Sequence, residues 1–285
     1  MVSLGPGAVA PFIPASGKKT AVKIAFLLAV LILGAVPAWS QPQQGDAILR
    51  WNECAGKGGL EYADFACDAD DGISTIVGSF RLDAPLTDVN GLRCTVLLST
   101  TPPCDGPGPC RGYDLQSWWR VDPGGCRDGS LSASTDFSAP PFTVGTGCAN
   151  AWYRKYPIGG VQNYTYPVVD SYWGVYNDRV RVDLSFDLLL QSISLVPGTE
   201  YYAFRIDIDH AGTTAGACQG CCVPLFVMWD RIVLHTGPIS NTGDVVIPHY
   251  SYPGFLAWQW GPNTVACGPT PARHTTWGRI KSQYR

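Results

Sequence analysis

Alternation of polar and apolar side chains is clearest in two segments near the middle of the chain. In residues 179–188, valine, leucine and phenylalanine occupy every second position, and the positions between them are charged or hydroxylated. The same alternation returns in residues 202–209, after the turn-forming pair Pro197-Gly198. A period of two is typical of a β-strand with one buried and one solvated face. The pattern therefore predicts two half-buried strands joined by a tight turn.

A third segment, residues 225–235, is apolar on both faces except at Asp230 and Arg231. A strand with two apolar faces belongs in the middle of a sheet rather than at its edge. We predict that the three segments form an antiparallel meander of adjacent strands, in which the third strand is central.

Shorter segments of the same character lie on both sides of this meander. Glycine- and proline-rich turns separate them at intervals of about ten residues, a spacing typical of β-sandwiches. The further predicted strands cover residues 47–52, 73–82, 92–98, 131–137, 244–247 and 255–259. The predicted fold is an all-β, antiparallel sandwich of the jelly-roll or immunoglobulin-like kind, with a short C-terminal helix at residues 275–281.

The first 40 residues have the pattern of a secretory signal peptide. Lys18, Lys19 and Lys23 precede an apolar run at residues 24–36, and small side chains follow at positions 38 and 40. Such a run is long enough for a signal peptide but too short to span a membrane. We predict cleavage after Ser40 and a soluble, secreted product, extracellular or periplasmic. The predicted organisation is a leader at residues 1–40, a β-sandwich domain at 41–272 and a basic tail at 273–285.

The charge balance excludes some partners. The chain has 20 lysine and arginine residues against 23 aspartate and glutamate residues, and three of the basic residues lie in the predicted leader. The mature protein would therefore be acidic. Nucleic acids and anionic membranes attract basic surfaces, so neither is an expected partner.

All 11 cysteines follow the predicted leader, and exported proteins meet oxidising conditions, so a disulfide framework is expected. Short loops favour the pairs Cys54 with Cys67, Cys104 with Cys110, and Cys126 with Cys148. Because the number is odd, one thiol is left over, and Cys94, on an apolar strand face, is the candidate for a buried free cysteine. The predicted disulfide cysteines are Cys54, Cys67, Cys104, Cys110, Cys126, Cys148, Cys218, Cys221, Cys222 and Cys267.

The most compact cysteine motif, Cys218-x-x-Cys221-Cys222, also suits other chemistry. A zinc site could combine it with His210 and His235, whereas a redox dithiol would require a helix that the sequence does not predict here. Structural disulfides are the favoured interpretation because the compartment is oxidising.

Calcium is the one cofactor for which the sequence offers ligands. Asp68, Asp70 and Asp71 precede Gly72 and could supply hard oxygen ligands. The spacing departs from that of an EF-hand loop, and an acidic, solvated turn explains the same residues.

Carboxylates on the solvated faces of the meander offer an enzymatic hypothesis. Paired carboxylates across a cleft are the catalytic groups of glycoside hydrolases. Arginines at 181 and 205 favour the alternative, ordinary ion pairs on an exposed sheet. The carboxylates are Asp183, Asp187, Asp207 and Asp209.

Aromatic residues supply the remaining candidate site. Exposed rings can stack on sugars or anchor a protein interface, whereas buried ones fill a core. Trp258 and Trp260 are two apart, so they are expected to be both buried or both exposed. The candidate ligand-binding residues are Trp118, Trp119, Trp152, Tyr153, Trp173, Trp258 and Trp260.

Several short motifs resemble a group of secreted bacterial proteins to which no activity is attached. They are Trp51-Asn52-Glu53-Cys54, Phe65-Ala66-Cys67, Val77-Gly78-Ser79-Phe80, Gln116-Ser117-Trp118-Trp119 and the C-terminal run Thr-Trp-Gly-Arg-Ile-Lys-Ser-Gln-Tyr-Arg at residues 276–285. The resemblance implies an exported bacterial protein and carries no function over.

Two functions from different classes fit these observations. The first is a non-catalytic exported β-sandwich that binds polysaccharide, a cell surface or another protein. The alternative is a secreted carbohydrate-active hydrolase that uses the sheet-face carboxylates. The distance between those carboxylates discriminates between them, because catalysis requires a pair about 5–10 Å apart in one groove.

Overall fold

Antiparallel β-strands make up nearly all of the regular structure in a computed structural model of the chain. The structure describes residues 45–65, 67–102, 112–138, 142, 147–171, 174–214, 218–237, 244–248 and 255–260. The strands in these ranges are β1 (Gly45–Trp51), β2 (Tyr62–Ala63), β3 (Ile73–Leu82), β4 (Leu86–Ser99), β5 (Leu131–Ser134), β6 (Ile158–Thr165), β7 (Val168–Asp170), β8 (Gly174–Tyr176), β9 (Arg179–Asp187), β10 (Ile193–Leu195), β11 (Tyr201–Asp209), β12 (Leu225–Thr236), β13 (Val245–Pro248) and β14 (Phe255–Trp258).

Two sheets enclose one hydrophobic core. The smaller sheet has the strand order β1-β3-β11-β5, and the larger has the order β2-β14-β12-β4-β9-β6, with β10 added to β4 and β13 added to β12. Every pairing is antiparallel except the short one between β14 and β2. Strands β7 and β8 form a separate hairpin. The predicted antiparallel, all-β fold is confirmed.

The two sheets approach each other closely at Gly78 of β3. A Cβ at this position would lie 2.6 Å from ring atoms of Phe204 and of Trp229, which come from β11 and β12. Only glycine leaves room for both rings, so this position fixes how tightly the aromatic side chains pack between the sheets.

The strands of the predicted meander form where the alternation places them. The prediction that they lie next to one another in one sheet is wrong. Strand β9 pairs with β4 and β6 in the larger sheet, whereas β11 pairs with β3 and β5 in the smaller one. The chain changes sheets between them, through β10 and a turn at Gly198, whose φ is 74°. Alternation shows which face of a strand is buried, but it does not show which strand lies beside it.

Strand β12 is central, as predicted, with β14 and β13 along one edge and β4 along the other. A β-bulge at Asp230 explains why the sequence of β12 is apolar at both odd and even positions. The register shifts between Trp229 and Arg231, so Trp229 and Ile232 both point into the core although they are three residues apart.

Disulfides join segments that are far apart in sequence. The described bonds are Cys54–Cys148, Cys67–Cys221 and Cys126–Cys218, with sequence separations of 94, 154 and 92 residues. The predicted pairs Cys54–Cys67 and Cys126–Cys148 are therefore wrong, because the sandwich brings distant loops together at its ends.

Other cysteines follow the sequence expectations or lie beyond the described ranges. Cys222 is also disulfide-bonded, and Cys94 is free and buried, as predicted. Burial in the core, and secondarily the nearby Asp183 carboxylate, raises the pKa of the Cys94 thiol. The predicted pair of Cys104 and Cys110, and Cys267, lie outside the described residues.

Three predicted segments fall outside the described residues: the leader at 1–40, the C-terminal helix at 275–281 and the basic tail at 273–285. Within the described residues, no helix has the length and apolar character needed to cross a membrane.

Candidate functional site

Four of the candidate ligand-binding tryptophans are core residues, which corrects their assignment as exposed platforms. Trp118, Trp119 and Trp258 have no exposed surface, and Trp152 is 3% exposed. A ring buried to this extent cannot stack on a ligand from solvent. Their apolar area instead stabilises the sandwich.

Three of these tryptophans belong to an aromatic cluster at one end of the sandwich. The ring of Trp258 lies 4.2 Å from Phe65, 4.9 Å from Trp119 and 5.0 Å from Trp118, measured between ring centroids. The aromatic cluster consists of Trp51, Phe65, Trp118, Trp119, His210 and Trp258. Such pairs add about 0.5–1.5 kcal/mol each to the free energy of area burial.

The expectation that Trp258 and Trp260 share one environment is wrong. Trp258 is buried, whereas Trp260 is 51% exposed. Gln259 between them has a φ of 54°, which ends the strand alternation, and its side-chain amide bonds to the backbone of Phe65. Trp260 therefore lies on the surface, with its ring 5.0 Å from Phe226. Trp173 lies outside the described residues.

A pocket of about 440 Å³ lies where the edge strand of the smaller sheet, β5, approaches the edge strand of the larger sheet, β6. Two of its walls are tyrosine rings: Tyr153 is 52% exposed and Tyr156 is 83% exposed. We call this pocket the edge groove. Its principal lining residues are Ser134, Asp136, Asn150, Tyr153, Arg154 and Tyr156.

The loop that carries the two tyrosines is tied firmly to the sandwich. The disulfide from Cys148 to Cys54 holds its beginning, and Ala149 exchanges two backbone hydrogen bonds with β11 and the residue before it. Trp152 then buries its ring, and its Nε1 donates to the carbonyls of Tyr202 and Ala203 at 2.9 and 3.0 Å. Trp152 thus anchors the loop, and the adjacent Tyr153 is left facing the groove.

The backbone of this loop adopts a conformation that side chains disfavour. Arg154 has a φ of 58° and Tyr156 a φ of 51°, in the left-handed region. Such residues cost roughly 1–3 kcal/mol each and cluster at binding and catalytic sites. The two strained residues both line the edge groove, which marks the loop as a functional candidate.

Polar groups of fixed charge and orientation complete the groove. The Asp136 carboxylate accepts hydrogen bonds from the hydroxyl of Ser138 at 2.6 Å and from its backbone at 2.9 Å, and these bonds lower the pKa of Asp136. Asn150 Oδ1 accepts a bond from the backbone N–H of Trp152 at 3.0 Å. The groove therefore offers an ionised carboxylate, an amide and a guanidinium beside two aromatic faces.

Sequence reasoning found Tyr153 and the buried Trp152, which both line the groove, but it missed the other residues there. Asp136, Asn150, Arg154 and Tyr156 come from two segments that no motif connects. Only the crowding of aromatic residues in this part of the chain indicated that a site could form here.

One of the predicted calcium ligands, Asp70, is hydrogen-bonded to a loop that is distant in sequence. Asp70 accepts hydrogen bonds from the backbone and hydroxyl of Thr214, and these bonds lower its pKa. Among the described residues, the aspartates at 68, 70 and 71 do not bring three carboxylates within ligand distance of one another. Calcium binding there stays a prediction, which thermal melts with calcium and with chelator would test.

The alternative zinc site is wrong, because its cysteines are used elsewhere. Cys218 and Cys221 form disulfides with Cys126 and Cys67. His210 is hydrogen-bonded to Ser74, with 2.7 Å between the imidazole Nε2 and the hydroxyl oxygen.

The prediction that sheet-face carboxylates of adjacent strands form a hydrolase site is also wrong. Asp183 and Asp187 lie on β9, whereas Asp207 and Asp209 lie on β11, in the other sheet. Asp183 is paired with Arg181 at 2.9 Å and Asp207 with Arg205 at 3.2 Å. These are the ion pairs of a sheet surface, and the expected adjacency of the two strands does not occur.

No protein-family model matches the chain, and no curated protein is similar to it in sequence.

Proposed function

We propose that the protein is exported, is stabilised by disulfides, and binds polysaccharide through the edge groove. The observation that carries the proposal is the pair of exposed rings, Tyr153 and Tyr156, held by a strained and anchored loop. Sugar rings present C–H groups that pack on aromatic faces, and hydroxyl groups that bond to carboxylates, amides and guanidiniums. The groove places both kinds of group side by side.

The volume and rigidity of the groove support this choice. Pockets of about 300–1,000 Å³ suit a ligand of a few rings, and the edge groove falls within this range. A loop anchored by a disulfide and a buried tryptophan loses little conformational entropy on binding, which favours affinity. The predicted leader and the disulfides support export into an oxidising compartment, extracellular or periplasmic.

Retention on insoluble polysaccharides tests the proposal. Mature protein would be mixed with cellulose, chitin, xylan and peptidoglycan, and the bound fraction measured. We expect retention on at least one of them. The double variant Tyr153→Ala/Tyr156→Ala should bind at least tenfold more weakly, which corresponds to about 1.4 kcal/mol.

Tyr113→Ala is the matched control, because Tyr113 is 81% exposed and lies outside the groove. Its affinity should equal that of the wild type. Retention on none of the four polysaccharides, or equal loss in the control, would contradict polysaccharide binding at this groove. N-terminal sequencing of the exported protein tests export separately, and is expected to begin at Gln41.

A further inference from the structure

A second pocket, of about 610 Å³, lies on the outer face of the larger sheet. Its walls come from β4, β6, β9 and β12, and from Asp244 and Val246 at the start of β13. We call it the outer-face pocket, and it has no lining residue in common with the edge groove. The arginine, aspartate and histidine side chains that line it are Arg93, Arg181, Asp183, Arg231, His235 and Asp244.

Strand register brings two arginines together in this pocket. Arg231 of β12 lies opposite Thr95 of β4, and the next outward pair is Val233 opposite Arg93. Arg93 and Arg231 are therefore diagonal neighbours on one face, with Cα atoms roughly 7–8 Å apart. The bulge at Asp230 is what turns Arg231 outward, because Trp229 and Ile232 on either side both point into the core.

No ion pair within the described residues compensates the positive charge of these two arginines. Asp183 is already engaged by Arg181 at 2.9 Å and by the hydroxyl of Thr95 at 2.7 Å. Arg93 and Arg231 are exposed and form no ion pair with any residue in the described ranges. Two adjacent, unpaired guanidiniums repel each other, so an anion bound between them would lower the energy of the pair.

A histidine with an unpartnered nitrogen lines the same pocket. His235 Nδ1 lies 2.8 Å from the carboxylate of Asp244, and the side chain is buried. Its other nitrogen, Nε2, is shielded from solvent and has no partner among the described residues. Because the carboxylate only accepts, Nδ1 donates to Asp244 and Nε2 of the neutral imidazole is an acceptor. Buried polar atoms nearly always have a partner, so this nitrogen indicates a missing donor, such as the hydroxyl of a hydrogen phosphate or of a saccharide.

We propose that the outer-face pocket binds an oxyanion, a sulfate, phosphate or carboxylate group held by Arg93 and Arg231. The planar guanidinium presents paired N–H donors that match two oxygens of such a group. This site does not depend on sugar binding at the edge groove. The oxyanion is either a free ion or a substituent of an acidic saccharide.

Titration of the mature protein with sodium sulfate and sodium phosphate, at constant ionic strength balanced with chloride, tests this site. Isotope-labelled protein should show saturable chemical-shift changes centred on residues 91–95 and 231–235. Arg93→Gln and Arg231→Gln should each weaken binding at least fivefold, and the double variant should abolish it. Both side chains are exposed, and a circular dichroism spectrum would verify that each variant folds.

Lys155→Gln is the control, because it removes one positive charge outside the pocket and should leave the affinity unchanged. A sulfated tetrasaccharide identifies the source of the anion: binding at least tenfold tighter than inorganic sulfate indicates a saccharide substituent, and equal binding indicates the free ion. No saturable shift with any of the three probes would overturn the proposal. So would equal weakening by Lys155→Gln, since that is the result of general charge screening.

Discussion

Arg127 is a buried cation that has no counter-ion at hydrogen-bond distance in the described part of the chain. It is 3% exposed, and its three guanidinium nitrogens have no hydrogen-bond partner in the described structure. The guanidinium carbon lies 3.8 Å from the centre of the Trp118 ring, which supplies a cation–π contact. Burial lowers the pKa of Arg127 to about 10, although the Asp209 carboxylate opposes this, so the group stays charged at neutral pH.

We expect Arg127→Met to stabilise the protein. An unpaired buried charge costs several kcal/mol, whereas a cation–π contact contributes roughly 2 kcal/mol. Removing the buried charge together with its cation–π contact should raise the free energy of unfolding by about 2 kcal/mol and the Tm by about 6 °C. Thermal denaturation measures this. Arg120→Met is the contrast, because Arg120 is paired with Asp122 at 2.7 Å and its loss should lower the Tm. A lower Tm for Arg127→Met would contradict the unpaired state.

His210, beside Arg127, should make stability depend on pH. Burial lowers the pKa of His210 below 6.5, and the positive charge of Arg127 lowers it further, against the opposing carboxylates of Asp209 and Asp71. As the pH falls below about 6.5, the unfolded chain takes up a proton that the folded chain does not, so stability decreases.

The measurement is the change in Tm between pH 7 and pH 5, compared with that of His210→Gln. Glutamine keeps a polar group near Ser74 but does not titrate, so the variant should lose less stability over this range. The carboxylates with lowered pKa values, such as Asp178 at about 2, lose their contribution only at lower pH. Equal changes in Tm for the two proteins would contradict a lowered pKa for His210.

At the scale of elements, Glu200 connects the start of β11 to its surroundings. Its buried carboxylate accepts bonds from the backbone N–H groups of Ala55 and Gly56, both at 3.0 Å. The same carboxylate accepts from the hydroxyl of Ser79 at 2.6 Å and from the guanidinium of Arg81 at 3.0 Å. One side chain therefore joins β3, β11 and the turn at residues 55–57.

Glu200→Ala should destabilise the protein by about 3 kcal/mol, because it leaves buried donors without an acceptor. Urea denaturation measures the loss. Glu61→Ala is a matched control, since Glu61 forms one ion pair with Arg50 and is 36% exposed. It should lose less than about 1 kcal/mol. Similar losses in the two variants would show that the bonds to Glu200 contribute little.

Strand positions could be predicted from sequence because burial of one face imposes a period of two. Strands β3 and β9 form almost where alternation places them. Strand neighbours could not be predicted, since β9 and β11 show the same alternation and lie in different sheets. The burial of Trp118 and Trp258 was equally hidden, because a tryptophan has the same side chain in a core and on a surface.

At the scale of the whole molecule, the pairing of the disulfides also could not be predicted from the sequence. Each described bond joins residues more than 90 positions apart, and no local spacing predicts such a pair. The edge groove also depends on the fold, since its lining comes from the end of β5, the segment after it, the loop at residues 150–157, β6 and β9. A site assembled in this way is visible in the fold and not in a motif.

Hydrogen exchange with and without bound saccharide tests the edge groove as the binding site. Exchange would be followed by mass spectrometry in the presence of hexasaccharides of cellulose, chitin and xylan and a soluble peptidoglycan fragment. We expect at least one of them to slow amide exchange in residues 134–138 and 150–157, and to have no effect on Tyr153→Ala/Tyr156→Ala. No slowing with any saccharide, or slowing confined to other segments, would contradict sugar binding by the two tyrosines.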